Sequence, residues 1–270
     1  MVLTPIRLLL NVARRFNAEH YAQTAAALSF VTLLGLVPMV VVGAALIEWL
    51  PFGVKLSAAL EQFLLGTLLP EKAGKVIARY LGEFAQRAGR MTWIGLAFLG
   101  LTALLQMLTI ERSFAAIWKV KRPRPLPKRL GLHLLTLLIG PLVFGGALAS
   151  TTYLVTISFG WVDEPRWVRL AVYETLPIFF LAGLLGLLYW ALPNRAVSGW
   201  HAGVSGVLTA LAFVGLQRLF ALYIVKLPTY TLIYGAFAVL PIFLLWLYLS
   251  WTVILVGALV TAELPASLRR

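Results

Sequence analysis

The stretch YAQTAAALSFVTLLGLVPMVVVGAALI, residues 21–47, contains no Asp, Glu, Lys or Arg. A helix of that length exceeds the roughly 30 Å hydrocarbon core of a bilayer. Its apolar residues run continuously, without the alternation of a barrel strand. Five more uncharged runs follow: Met91–Ile110, Leu130–Val162, Thr175–Asn194, Ala196–Gln217 and Leu227–Ala262. In lipid, only helices and closed barrels satisfy every backbone donor and acceptor. The reading is an all-α polytopic membrane protein, a single integral membrane domain over 1–270. Its six transmembrane helices are expected near 24–47, 91–111, 132–160, 172–192, 202–224 and 234–261.

The composition agrees. Hydrophobic residues make up 61%, charged residues 12%, and the mean hydropathy is +0.90. These values exclude both an ordinary soluble globule and a disordered chain. The net charge of +13 would suggest nucleic acid if the charges formed one patch. They are instead partitioned by the apolar runs. With the N-terminus in the cytoplasm, the inner segments carry a net +10 and the outer segments +2, and Arg218 lies within the fifth run's helix. That asymmetry sets both termini cytoplasmic. Trp49, Trp93, Trp118, Trp161, Trp167, Trp190 and Trp200 fall near expected helix ends, where the ring prefers the interface. Trp246 and Trp251 lie mid-span, as bundle packing, lipid contact or a cavity lining.

The segments outside the spans differ in character. Residues 1–20 form a cytoplasmic amphipathic segment, with Ile6, Leu9, Leu10, Ala13 and Phe16 on one helical face over 5–19. The apolar patch Leu8–Leu10 is too short for the core of a cleaved signal peptide. Residues 49–90 read as an external amphipathic loop of two short helices, a surface connector or a lid. Residues 112–130 read as a basic cytoplasmic loop, with Pro123, Pro125 and Pro127 forbidding a helix at its centre. There Lys119, Lys121, Arg122, Arg124, Lys128 and Arg129 are candidates for contact with anionic lipid headgroups. The expected partners are therefore membrane lipids. No nucleic acid is expected, because no aromatic stacking platform accompanies the charge. A homo-oligomer stays open. Cysteine is absent, which excludes disulfides, thiol catalysis and Cys-ligated metal.

Several segments together resemble the YihY/BrkB family of bacterial inner-membrane proteins. Residues 22–38, AQTAAALSFVTLLGLVP, are similar to its first-helix signature, and residues 110–118, IERSFAAIW, to the segment after its second helix. Tyr189-Trp190-Ala191-Leu192-Pro193-Asn194 matches a further element, with Trp190 in place of the usual basic residue. Phe220–Tyr223, Tyr230, Tyr234-Gly235, Leu245–Tyr248 and Leu255–Ala258 extend the likeness, while Leu259 stands where the family has Glu. The resemblance implies a six-helix protein of the bacterial inner membrane without an established biochemical activity. Some members bear a ribonuclease BN label and others a virulence-factor label.

The residues themselves give little sign of catalysis. Metal-dependent phosphodiester cleavage gathers several carboxylates or histidines. His20, His133 and His201 each begin an expected helix at the cytoplasmic edge, with Glu19, Glu111 and Glu263 on that side, but no metal-ligand spacing joins them. The single aspartate, Asp163, lies outside. The expectation is a protein that is not an enzyme and uses no cofactor. Intramembrane polar residues are stronger candidates. Arg218 is expected to pair with Glu48 or Glu174, to face an outward cavity, or to snorkel to the outer headgroups. Gln106, Gln217, Tyr223 and Tyr234 could line the same cavity or act as interhelical hydrogen-bonding groups. Pro38, Pro141, Pro177 and Pro241 are candidate helix breaks, placed as in an inverted repeat of three plus three spans. Gly199-x-x-x-Gly203 and Ala202-x-x-x-Gly206 suit close helix contact. The leading functional expectation is transport or lipid handling through a bundle cavity. A non-transporting envelope scaffold is the alternative, and a membrane ribonuclease the weakest reading.

Overall fold

The computed structural model describes residues 3–48, 93–120, 125, 127, 131, 166–226 and 239–268. Its described elements are helices: α1 (Leu3–Ala18), α2 (Tyr21–Glu48), α3 (Trp93–Ile117), α4 (Arg166–Ala191), α5 (Gly199–Lys226) and α6 (Val239–Leu268). The chain divides into two compact units. One comprises Met1–Leu34, Leu108–Arg124 and Leu181–Arg270, and the other Gly35–Met107 and Pro125–Phe180. The expected third span, the outer loop 49–90 and most of the basic loop lie outside the described residues. Gly199–Ile224 and Leu240–Leu264 are each long and apolar enough to cross a membrane.

Helix ends differ from the sequence expectation in an instructive way. The helix expected at 91–111 runs on to Ile117, through Glu111 and Arg112, so residues 112–117 are not loop. Charge ends an apolar run but not a helix; a helix ends where the backbone turns. Here Lys119 takes a left-handed conformation, φ 50°, with its N–H donating to Ala116 O at 3.0 Å. Val120 N–H donates to Ala115 O at 3.0 Å. This is a Schellman ending, which satisfies carbonyls that a helix end leaves open. The sixth helix likewise extends to Leu268 rather than 261.

The first unit is tightly packed. α5 runs along α6, and α1 also lies on α6. Between α4 and α5, the backbones touch at small residues. A Cβ on Gly206 would stand 2.6 Å from Ala182 O and 2.7 Å from Gly186 N, so only glycine fits without a shift. The Ala202-x-x-x-Gly206 spacing thus makes the close approach expected of it, while a Cβ on Gly199 or Gly203 would meet nothing. A Cβ on Gly257 of α6 would overlap Thr209 Oγ1 and Tyr189 Oη. Tyr189, fully buried, donates through Oη to Ile254 O at 2.9 Å, with Thr209 Oγ1 at 3.3 Å. Trp246 is 1% exposed and packs on Phe213 and Phe220, ring centroids 5.5 and 5.0 Å away. Trp251 Nε1 donates to Thr32 Oγ1 at 2.9 Å. Trp246 is therefore a packing residue, and Trp251 is half-buried and tied to α2. Thr209, Thr252 and Thr261 return their hydroxyls to carbonyls one turn back, so these polar groups are satisfied within their own helices.

Candidate functional site

The ends of four chain segments meet in the first unit around Arg15. Its Nε donates to Glu19 Oε1 at 2.9 Å, just past the end of α1. One Nη donates to Glu263 Oε1 of α6 at 2.9 Å. The other donates to Ile117 O at 2.7 Å, at the end of α3, and to Glu19 Oε2 at 3.2 Å. A planar guanidinium suits this task, because its fixed fork reaches several acceptors at once. Tyr21 Oη adds a donor to Glu19 Oε2 at 2.8 Å, and Lys119 Nζ stands 3.3 Å from Glu19 Oε1. From the segment joining α4 to α5, an Nη of Arg195 donates to Trp118 O at 3.2 Å.

Electrostatics follow from these contacts. The Arg15 guanidinium is the main reason that the Glu19 carboxyl falls to about 2, assisted by Tyr21 and Lys119 against the opposing effect of burial. For Arg15, burial disfavours the charge, but its two carboxylate partners outweigh it and raise the pKa. Two backbones at this site are left-handed without being glycine: His20, φ 57°, at the α1–α2 junction, and Lys119. Such conformations cost free energy and persist where the surroundings fix them.

Beside the cluster lies an open cavity of about 230 Å³, lined by Arg15, Ile117, Trp118, Lys119, Arg195, Ala262 and Glu263. Three of these seven residues are cationic and one anionic. Glu19 and Glu263, expected on one side of the membrane, do come together, but around a guanidinium. Glu111 is buried in α3 and has its own interactions. Among the described residues, no three His, Cys, Asp or Glu side chains gather as metal ligands would.

The residues singled out from sequence fall in several places. Arg218 is exposed on the surface of α5. Trp200, Val207, Leu211 and Arg218 recur at intervals of seven, four and seven, so they share one stripe of α5, and all four are exposed. Tyr223 is exposed also, and Gln217 is half-buried with a partner. Gln106 is buried in the second unit against Gly35, where a Cβ would overlap its amide, and its Oε1 has no hydrogen-bond donor. Helices α2 and α4 continue through Pro38 and Pro177. Pro241 is the third residue of α6, in a first turn whose N–H groups have no intrahelical acceptor. Of the headgroup candidates, Lys119 is described and lines the cavity. Lys121, Arg122, Arg124, Lys128, Arg129, Tyr234 and Pro141 lie outside the described residues, as do the side chains of Glu48 and Glu174. The importance of Arg15 and Arg195 was not apparent from sequence. The one signal was the spacing of Arg15 and Glu19, four apart on a helix.

Comparison with known proteins adds the family. The model described as Virulence factor BrkB matches residues 12–269. A UPF0761 membrane protein of Azoarcus sp. is 48% identical over 100% of this chain and 66% of its own length. One from Aromatoleum aromaticum is 47% identical over 95% of this chain and 63% of its own length. One from Nitrosospira multiformis is 40% identical over 97% and 62%. The chain thus spans less than two thirds of the length of these relatives. No solved structure matches. The chain is a helical membrane protein and belongs to the BrkB virulence-factor family.

Proposed function

We propose that this chain is a six-span protein of the bacterial inner membrane, both termini cytoplasmic, that binds phospholipid and moves it along its outer surface. The reading rests on one observation above all: α5 carries an exposed apolar stripe with a basic residue toward each end. Arg195, at the charged cavity, precedes the helix, and Trp200 begins the stripe. Arg218 lies eighteen residues beyond Trp200, about 27 Å along the axis, close to the thickness of the hydrocarbon core. A headgroup has a cation to meet near each interface, and the acyl chains have Val207 and Leu211 between them. Packing inside the first unit supports a surface route, because α4, α5 and α6 close on one another through glycine and buried aromatic rings. Chemistry on covalent bonds has no part in this proposal; the paired carboxylates Glu19 and Glu263 serve to hold Arg15.

The test uses sealed proteoliposomes with a headgroup-labelled anionic phospholipid and a trapped solute. Addition of an impermeant quencher should show label lost from both leaflets while the solute stays inside. Loss from the outer leaflet alone would overturn the proposal and favour a scaffold. Solute escape would overturn it in favour of an aqueous conduit.

A further inference from the structure

The cavity beside Arg15 has a charge imbalance that specifies a ligand. Among the described residues, Arg15, Lys119 and Arg195 bring three positive charges to the cavity and Glu19 and Glu263 two negative ones, an excess of one positive charge. Arg15 is committed: it holds Glu19, Glu263 and the Ile117 carbonyl. Arg195 gives one Nη to Trp118 O and is otherwise exposed. The Lys119 side chain is 70% exposed, with its ammonium at 3.3 Å from a Glu19 oxygen that already accepts from Arg15. Free donors therefore come from Arg195 and Lys119, which line the same cavity. The Schellman ending fixes the Lys119 backbone at that point. Glu263 on the rim repels a second negative charge.

We infer that this cavity binds the phosphodiester of an anionic phospholipid headgroup, with Arg195 and Lys119 as its donors. A phosphodiester carries a single negative charge and so balances the charges of the described residues. A phosphomonoester approaches two at neutral pH and would face Glu263 with the excess. Arginine supplies the planar fork for two phosphate oxygens and lysine a point charge. The open form of the cavity admits a headgroup attached to a lipid. Trp200, 77% exposed and five residues after Arg195, marks the interface where that headgroup would lie. The inference rests on the proposed cytoplasmic position of this end and names the lipid class recognised there.

The test is binding, without any measurement of lipid movement. The full chain in neutral detergent is titrated with phosphatidylglycerol, phosphatidylcholine or inorganic phosphate, and bound molecules are counted by native mass spectrometry. Phosphatidylglycerol should occupy one tight site. Arg195→Gln and Lys119→Gly should each weaken it about tenfold, the loss of one charge-assisted hydrogen bond. Glycine keeps the left-handed backbone at 119, so Lys119→Gly removes the charge without disturbing the helix end. Arg14→Gln, exposed on α1 outside the cavity, should bind like the unaltered chain. Unchanged phosphatidylglycerol binding in a folded Lys119→Gly or Arg195→Gln chain would overturn the inference. Equal weakening by Arg14→Gln, or binding of inorganic phosphate in place of the lipid, would do the same. Tight headgroup binding without movement in proteoliposomes would reject lipid transfer and leave this site standing.

Discussion

Arg15 joins three helices through four hydrogen bonds, and its removal leaves two carboxylates facing each other across an unfilled space. Arg15→Ala should lower stability by about 1–3 kcal/mol, the usual cost of orphaning charged partners. Arg15→Lys should recover little of that, since one ammonium cannot span both carboxylates and the Ile117 carbonyl. Thermal unfolding in detergent measures both. The same cluster gives a pH dependence. The Glu19 carboxyl falls from about 4.5 to about 2 on folding, so its contribution is complete above pH 4.5 and disappears as pH falls toward 2. Solvent screening reduces that contribution to the order of 1 kcal/mol. Glu19→Gln should flatten the acid limb of a stability profile and leave the neutral limb lower. An unchanged acid limb would show that the Arg15 contact is not formed.

At the scale of elements, close packing of α4, α5 and α6 depends on two glycines. Gly206→Val and Gly257→Ala should each destabilise by about 1–3 kcal/mol, because backbone or buried hydroxyl atoms must shift. Gly215→Ala makes the control: its Cβ would meet nothing within 4 Å, and alanine favours a helix by about 0.5–1 kcal/mol. Equal losses at 206 and 215 would contradict the packing described. These elements show where sequence was informative and where it stopped. The apolar runs revealed α2 to α6 because a long apolar stretch without strict alternation reads as helix. Their ends were less legible: α3 passes Glu111 and Arg112 and stops where Lys119 adopts positive φ, which no charge pattern encodes. The face of α1 was also ambiguous. Ile6, Leu9 and Leu10 read as its apolar face, yet they are exposed, while Val12 is buried on the side that meets the bundle. Amphipathicity identifies an apolar face without saying whether protein or lipid will cover it.

For the whole molecule, charge placement does much of the organising. The cluster around Arg15 joins residues up to 248 positions apart, so the site appears only once the helices are assembled. In the sequence Arg15 and Arg195 are two of 23 basic residues; geometry distinguishes them. The absence of cysteine makes the proposed topology straightforward to examine. Single cysteines at Asn17 and Ala196 should react with an impermeant thiol reagent only from the cytoplasmic side, and one at Ser57 only from outside. The same side for all three would reject six spans with both ends inside.

The most direct measurement of the central claim is the rate of anionic phospholipid movement in proteoliposomes bearing Arg218→Gln beside the unaltered chain. The stripe on α5 requires its outer cation, so movement should slow about tenfold, as for loss of one charge-assisted headgroup contact, with stability unchanged. An identical rate in a folded Arg218→Gln protein would contradict a lipid path along α5.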